Sequence, residues 1–383
     1  MIYLDNSATS FPKPKSVINA VNECFLKYGA NPGRSGHSFS IKTAMRVAEI
    51  RADFCSYIGA EYPENVIFTS GCTEALNLAI FGSCQKDGHI ICTVNDHNSV
   101  LRPIFELKNR GLIDVTVAKP ERNDKIRASD IEKCIKPSTY LICVNHLSNV
   151  DGMETDIDEV GRLCYEKGIM FLVDGAQSIG HKKIDMLKQR IDLLAFSPHK
   201  GLYAPQGVGI LSYSSKTKLT PIKFGGTGTE SFSAEQPKFA PECFESGTLP
   251  TPNIFGAGAG LKFVIQNFDK ICEKQEDLTT FLNYELSKIN HIKVYTHPDN
   301  ANGILCFNIG KMLSSDVSNI LDKKYGIMVR SGLHCAPLKH KDLGTLEQGT
   351  VRVSMSYYTT YADITRLIRA VKDISDKYLI TEK

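Results

Sequence analysis

TDIDEVGRLCYEKGIMFLVDGAQSIGHKKIDMLKQRIDLLAFSPHKG, residues 155–201, shows the alternation on which the fold rests. Thr155-Asp156 is a helix-start signal ahead of IDEVGRLCYEKG, and Gly168 supplies the stop. IMFLVD (169–174) and LLAFS (193–197) are short, nearly unbroken apolar runs, the pattern of strands buried on both faces. The pattern extends outward in both directions. VIFT (66–69) precedes a helix from Thr73, and HIICTV (89–94) precedes one from about Asn98 to Arg110. DVTVAK (114–119), YLICVNH (140–146) and VGILSY (208–213) add further strands. Such alternation predicts an α/β fold: a mainly parallel sheet with helices on both faces.

From about Pro252 the texture changes to one long helical stretch (254–288), then ILCFNIG (304–310), a helix from Ser314, IMVRSG (327–332), TVRVSMS (350–356) and an amphipathic helix from Tyr361. This reads as a smaller α+β unit. The expected division is a large domain over 16–252 and a small one made of 1–15 with 253–383. Between them, FGGTGTESFSAEQPKFAPE (224–242) is too polar for core and too long for a simple turn.

Hydrophobic residues make up 42% of the 383 and charged residues 23%, a globular composition. The net charge of +3 is spread over 45 basic and 42 acidic residues without a basic stripe, so nucleic acid is not an expected partner. No apolar run reaches membrane length and the N-terminus lacks an apolar leader, so a cytoplasmic protein is expected. The twelve cysteines show no C-x-x-C pair and are expected to be mostly reduced. Cys55, Cys143, Cys164 and Cys306, in apolar surroundings, read as small core residues.

Ser70-Gly71-Cys72-Thr73-Glu74 follows a strand and opens a helix, where free backbone N–H groups and the helix dipole form a phosphate cradle; a capped helix with a turn glycine explains the same letters. Asp174 ends an apolar strand and needs a cation or several donors there, or else caps the following turn. Lys200 in SPHK ends the next strand, where desolvation lowers a lysine pKa and prepares the amine to bond an aldehyde. The pair carries more than either residue. A carboxylate can hold a protonated pyridine nitrogen while a lysine bonds the aldehyde carbon, the two anchors of a pyridoxal-phosphate ring. Gly256, Gly258 and Gly260 lack the strand and spacing of a dinucleotide fingerprint, and close helix packing is the expected reason for them.

The whole chain resembles the class V aminotransferase-like, fold-type I pyridoxal-phosphate enzymes, and within them the cysteine desulfurases with a short catalytic loop, on the selenocysteine lyase-like side. The motifs that carry the resemblance are YLDNSATSFPKP, SGCTEALN, His97 in NDHNS, HLSNVDG, VDGAQS, SPHKG, ESGTLPTPN, RSGLHCAP and VRVS, in that order. It implies pyridoxal 5'-phosphate on Lys200, with Asp174 at the pyridine nitrogen, Gln177 at the phenolic oxygen and His97 stacked on the ring as a catalytic residue. It also implies Thr73, Ser197, His199 and the Cys72 backbone at the phosphate, Asn149 near ring and substrate, and Arg352 at the substrate carboxylate. Thr248 would reach the phosphate of a neighbouring subunit in a homodimer.

Cys335, in RSGLHCAP (330–337), reads as an exposed loop thiol beside a histidine and an arginine, able to attack as thiolate. A metal site from His334, Cys335 and His340 has no recognised ligand spacing, and no metal is expected. The resemblance implies Cys335 as nucleophile in converting L-cysteine to L-alanine and a persulfide, passed on to a sulfur-acceptor protein or thiol. The alternatives are a selenocysteine lyase acting on L-selenocysteine, a class V transaminase or racemase, or a non-catalytic sulfur-relay protein. APLKHKDLGT after Cys335 departs from the glutamine-proline pair often found in comparable short-loop desulfurases.

Overall fold

The computed structural model describes residues 1–33, 35–121 and 125–381, except the side chains of 378–381. After β1 (Ile2–Tyr3), α1 (Lys15–Lys27) and α2 (Ser38–Tyr57), the chain alternates through β2 (Val66–Thr69), α3 (Cys72–Gly82), β3 (Gly88–Thr93), α4 (Asn98–Asn109) and β4 (Ile113–Ala118). The alternation continues with α5 (Ala128–Glu132), β5 (Thr139–Asn145), α6 (Ile157–Lys167), β6 (Met170–Asp174), β7 (Leu193–Phe196) and β8 (Gly209–Tyr213). Then come α7 (Thr251–Ser287), β9 (Ile292–Val294), β10 (Ile304–Ile309), α8 (Ser314–Tyr325), β11 (Ile327–Met328), β12 (Arg330–Gly332), α9 (Pro337–Leu343), β13 (Thr350–Ser354) and α10 (Tyr361–Thr381).

Strands β2–β8 form one sheet in the order β2-β8-β7-β6-β5-β3-β4, parallel from β7 to β4, with β8 antiparallel to both of its neighbours. Period-two alternation sends Phe171, Val173, Leu194 and Phe196 into one core and Leu172, Leu193 and Ala195 into the other. Both faces are dry, so these strands show continuous apolar runs. The α6 signals act as expected: the Asp156 carboxylate accepts from the Asp158 and Glu159 N–H groups, and Gly168 closes the helix at φ +67. With β8 reversed, the C-terminal ends of β2, β3, β5, β6 and β7 share one edge with the start of β8, the edge where open α/β sheets bind ligands.

The second sheet, β12-β13-β10-β9, is antiparallel and packs Leu305, Phe307, Val351 and Val353 with Leu278, Val317 and Leu367 of the flanking helices. The expected single strand over 327–332 is two: Ile327 and Met328 pair parallel with Ile2 and Tyr3, whereas Arg330–Gly332 pairs antiparallel with β13. The chain changes partner at Val329, and an apolar run does not encode whom it pairs with.

Residues 4–10 lead from this sheet to the large one. Asn6 Nδ2 and the Ser7 N–H donate to Ser354 O and Oγ at 2.9 and 2.8 Å, and the Ser10 N–H donates to His199 O at 3.1 Å. On α7, a Cβ at Gly260 would lie 2.1 Å from the Leu202 carbonyl oxygen and one at Gly256 2.6 Å from the Pro205 ring, so the spaced glycines serve close packing. All twelve cysteines are free; Cys335 is exposed, while Cys55, Cys143, Cys164 and Cys306 are buried. No helix among the described residues is long and apolar enough to cross a membrane.

Candidate active site

The edge defined by these strand ends opens into a cleft of about 410 Å³. Its floor begins where β2 passes through Gly71 into α3, whose first-turn amides have no acceptor within the helix. The Cys72 N–H donates to Ser197 Oγ at 3.0 Å, drawing the SPHK turn onto the helix start, and Thr73 Oγ1 lies 2.9 Å from Ser99 Oγ. Amides, hydroxyls and the positive end of a helix dipole thus converge at one corner, a set suited to a phosphate.

Asp174 closes β6, 3% exposed, and both of its side-chain hydrogen bonds among the described residues fall on Oδ1: from the Ala176 N–H at 2.9 Å and from the Cys72 thiol at 3.7 Å. It does cap the following turn, yet it also lines the cleft. Burial pushes its carboxyl above the ordinary value, against the Ala176 amide and the Lys200 charge. Lys200 shares the cleft; burial lowers its ammonium pKa against the pull of Cys72 and Asp174, and Arg352 and Arg330 add to the lowering. Gln177 reaches across to donate to Ser7 O at 3.0 Å.

His97 caps α4, its Nδ1 accepting the Ser99 N–H at 3.0 Å, which leaves the ring proton on Nε2. Burial, with the Lys200, Arg330, Arg352 and Arg102 charges behind it, lowers its pKa to about 4, so the ring is neutral at pH 7. His199, at Thr9 Oγ1, is lowered to about 4 by burial and by Lys200 and Lys13.

Arg352 is fully buried on β13, an inner strand of its sheet. Its Nη1 donates to Asn149 O and its Nη2 to Asp5 Oδ1, each at 2.8 Å, and its Nε has no hydrogen-bond partner among the described residues. Asn149 sits in the turn after β5 and donates its side-chain N–H to His334 O at 2.7 Å. Cys335 follows in left-handed backbone at φ +57, after His334 at +50. The Asn98 N–H donates to Cys335 O at 2.7 Å, and Arg330 Nη2 lies 3.8 Å from its Sγ. The thiol lines a neighbouring groove that meets the cleft at Thr73, His97 and Ser99.

Ten of the residues singled out from sequence therefore line one cleft: Cys72, Thr73, His97, Asn149, Asp174, Gln177, Ser197, His199, Lys200 and Arg352. Thr248 is exposed and not among the lining residues. His334 and His340 stack in the interior, Nδ1 to Nε2 at 3.3 Å, while Cys335 faces outward. Sequence reasoning missed Ser7 and Ala8, Ser99, Asn145 and Arg330 in the lining, and Asp5 behind Arg352. Ser99 had a signal, a hydroxyl two residues past a helix-capping histidine; the N-terminal residues lie in YLDNSATSFPKP, a motif of the resemblance, but no local pattern gives them a role, because only the tertiary crossing brings them there.

A reactive amine, a buried carboxylate whose Oδ2 has no hydrogen bond among the described residues and a helix-start cradle together match an aldehyde, a pyridinium N–H and a phosphate. On this sheet edge they define a fold-type I pyridoxal-phosphate enzyme. The chain belongs to the aminotransferase class-V family, whose profile matches residues 2–367, and within it to the cysteine desulfurase group. It is 35% identical over 381 residues to the probable cysteine desulfurase of Methanothermobacter thermautotrophicus, spanning 98% of this chain and 94% of that one. The Borreliella burgdorferi protein of the same name is 32% identical over 389 residues, with 98% and 92% covered. Among solved structures, the apo cysteine desulfurase of Thermococcus onnurineus NA1 superposes with a TM-score of 0.92 at 31% identity, covering 98% and 95%. The Escherichia coli cysteine desulfurase CsdA in its S-sulfonic acid form gives 0.88 at 26% identity, covering 98% and 94%. The family is pyridoxal-phosphate dependent.

Proposed function

We propose that the chain is a pyridoxal-phosphate-dependent cysteine desulfurase, converting L-cysteine to L-alanine and storing the sulfur as a persulfide on Cys335 before passing it to an acceptor thiol or protein. The observation that carries this reading is a single cleft holding Lys200, Asp174 and Arg352, with an exposed thiol held at its rim by Asn98 and Arg330.

When bound, the cofactor supplies an electron sink next to the substrate Cα. Lys200 would hold the cofactor aldehyde, and its Nζ is the amine in the cleft that would take the substrate Cα proton. Asp174 would keep a proton on the ring nitrogen, Gln177 would bond the phenolic oxygen, and neutral His97 would stack on the ring. Thr73, Ser197, His199 and the Cys72 amide would hold the phosphate. Arg352, with Asn149 beside it, takes the substrate carboxylate. The Cys335 thiolate attacks the substrate sulfur: the Cβ–S bond breaks and an S–S bond forms. Carbon keeps the electron pair and gains a proton to become the methyl of alanine, and sulfur is oxidised to the sulfane level. No outside oxidant is needed.

The reading extends to a cytoplasmic homodimer in which Thr248 serves the neighbouring subunit's phosphate site, and to a division into domains over 16–252 and over 1–15 with 253–383. The deciding experiment follows alanine release from L-cysteine. Wild type, yellow and bleached by borohydride, should form alanine and a persulfide mapped to Cys335; Lys200→Ala should lose the borohydride-sensitive band. Undiminished L-cysteine turnover in Cys335→Ser would remove the persulfide step.

A further inference from the structure

The Cys335 backbone is costly to hold. Two successive non-glycine residues, His334 and Cys335, lie at φ +50 and +57, each in a conformation that persists only where its surroundings over-determine it. The helix that follows, α9, is seven residues long and too short to be stable by itself. Beneath it lies an ion pair outside the cleft: Lys339 Nζ meets Asp151 Oδ2 at 2.8 Å, with side chains 3% and 2% exposed.

Asp151 belongs to the turn that carries Asn149, which is built from its own contacts. Ser148 Oγ accepts the Val150 and Asp151 N–H groups, and Asp151 Oδ1 accepts the Met153 N–H at 3.3 Å. Burial pushes the Asp151 carboxyl up, but the Lys339 charge and hydrogen bonds from Lys339, the Ser148 hydroxyl and the Met153 N–H outweigh it and hold the group below its ordinary value. Two links therefore join the same two segments, Asn149 Nδ2 to His334 O on one side of Cys335 and Asp151 to Lys339 on the other. The first of them continues through Asn149 O to Arg352.

We infer that Lys339 and Asp151 are positioning residues that clamp the Cys335 segment to the Asn149 turn, fixing the thiol relative to the place where Arg352 grips substrate. The inference rests on Cys335 being the sulfur acceptor. A hydrophobic side chain at 339 would fill the same space and could not hold this register, because packing is non-directional whereas the ion pair fixes one atom against another.

The test uses Asp151→Asn/Lys339→Met, which leaves no buried charge unpaired, and Lys339→Arg, which keeps a cation toward Asp151 but shifts its donors. Two readouts are taken: amide hydrogen exchange of the 333–343 peptide in the protein without cofactor, and L-cysteine and L-alanine kinetics of the holoenzyme. The double variant should exchange that peptide at least tenfold faster, with the β5 and β6 peptides unchanged. Its kcat for L-cysteine should fall at least tenfold, while Cα-proton exchange of L-alanine in D2O, which needs Lys200 and not the thiol, stays within twofold. Lys339→Arg should fall between wild type and the double variant in both readouts. Unchanged exchange of 333–343 overturns the clamp, and so does equal loss of alanine exchange and cysteine turnover, since either shows a general effect on folding. If the double variant fails to fold, Lys339→Arg decides by the same two criteria. A failure of the sulfur chemistry alone would appear differently, as accelerated peptide exchange with L-cysteine turnover unaffected in both the clamp variants and Cys335→Ser.

Discussion

Replacing Arg352 by lysine tests how the substrate carboxylate is held. The guanidinium is wholly buried, with Asn149 O at 2.8 Å from Nη1 and Asp5 Oδ1 at 2.8 Å from Nη2. Lysine keeps the charge but brings a single nitrogen, so it can satisfy one of these anchors and cannot offer a planar pair of N–H groups to a carboxylate. A hydrogen bond to a charged group contributes about 1.5–3 kcal/mol. At about 1.4 kcal/mol per factor of ten, losing one such bond from the bound carboxylate weakens substrate binding roughly 10- to 150-fold. Because the carboxylate is gripped alike before and during reaction, the loss should fall on KM for L-cysteine and leave kcat nearly unchanged. Inhibition by L-alanine should weaken by the same factor, whereas inhibition by ethylamine, which has no carboxylate, should not change. An Arg352→Lys enzyme with wild-type KM, or one that loses L-alanine and ethylamine equally, would refute the assignment.

Asp96 is fully buried, and burial raises its carboxyl to about 8, so the folded protein keeps a proton that the unfolded chain releases near its ordinary value of 3.8. Its contribution is thus lost as pH rises through that window, and Asp96→Asn should gain on wild type by up to about 1.4 kcal/mol per pH unit from pH 6 to 8, read by urea unfolding at both values; a constant difference would contradict it. Arg51 pairs both Nη atoms with Glu245 at 2.7 and 2.8 Å in the interior, so Arg51→Met should cost about 3–5 kcal/mol in the same assay and Arg51→Met/Glu245→Met much less. Cys335→Ser should cut L-cysteine turnover by about two orders of magnitude or more while retaining the borohydride-sensitive band. Thr248→Val should leave the fold intact and lower cofactor retention, and the protein should sediment as twice the mass of one chain; full retention would remove Thr248 from the phosphate site.

Most of the large sheet was legible because burial on both faces writes itself as unbroken apolar runs, and Asp174 stood out at the end of one of them and Lys200 in the turn that follows another. The phosphate corner was legible for a similar local reason, as a strand, a glycine and a helix start lie within eight residues of sequence, 66–73. What lay hidden depends on contacts between distant segments. Asp5 meets Arg352 across a separation of 347 residues, and nothing near either residue signals the other. The split of 327–332 between two partners and the Lys339–Asp151 pair are hidden in the same way, since a lysine in a polar stretch reads as a solvated surface charge until the helix is seen to turn it inward.

The hydrogen bond from the Asn98 N–H to Cys335 O joins the start of α4 to the thiol-bearing backbone, one residue from the histidine that caps that helix. The ring at 97 and the sulfur at 335 therefore share a common mount. A segment exchanged into this chain over 333–343 from a relative would inherit its chemistry but not its aim unless residues 95–99 came with it. Swaps that move both pieces should transplant cleanly, and swaps of the cysteine segment alone should yield proteins that still hold the cofactor while their thiol no longer meets the substrate sulfur.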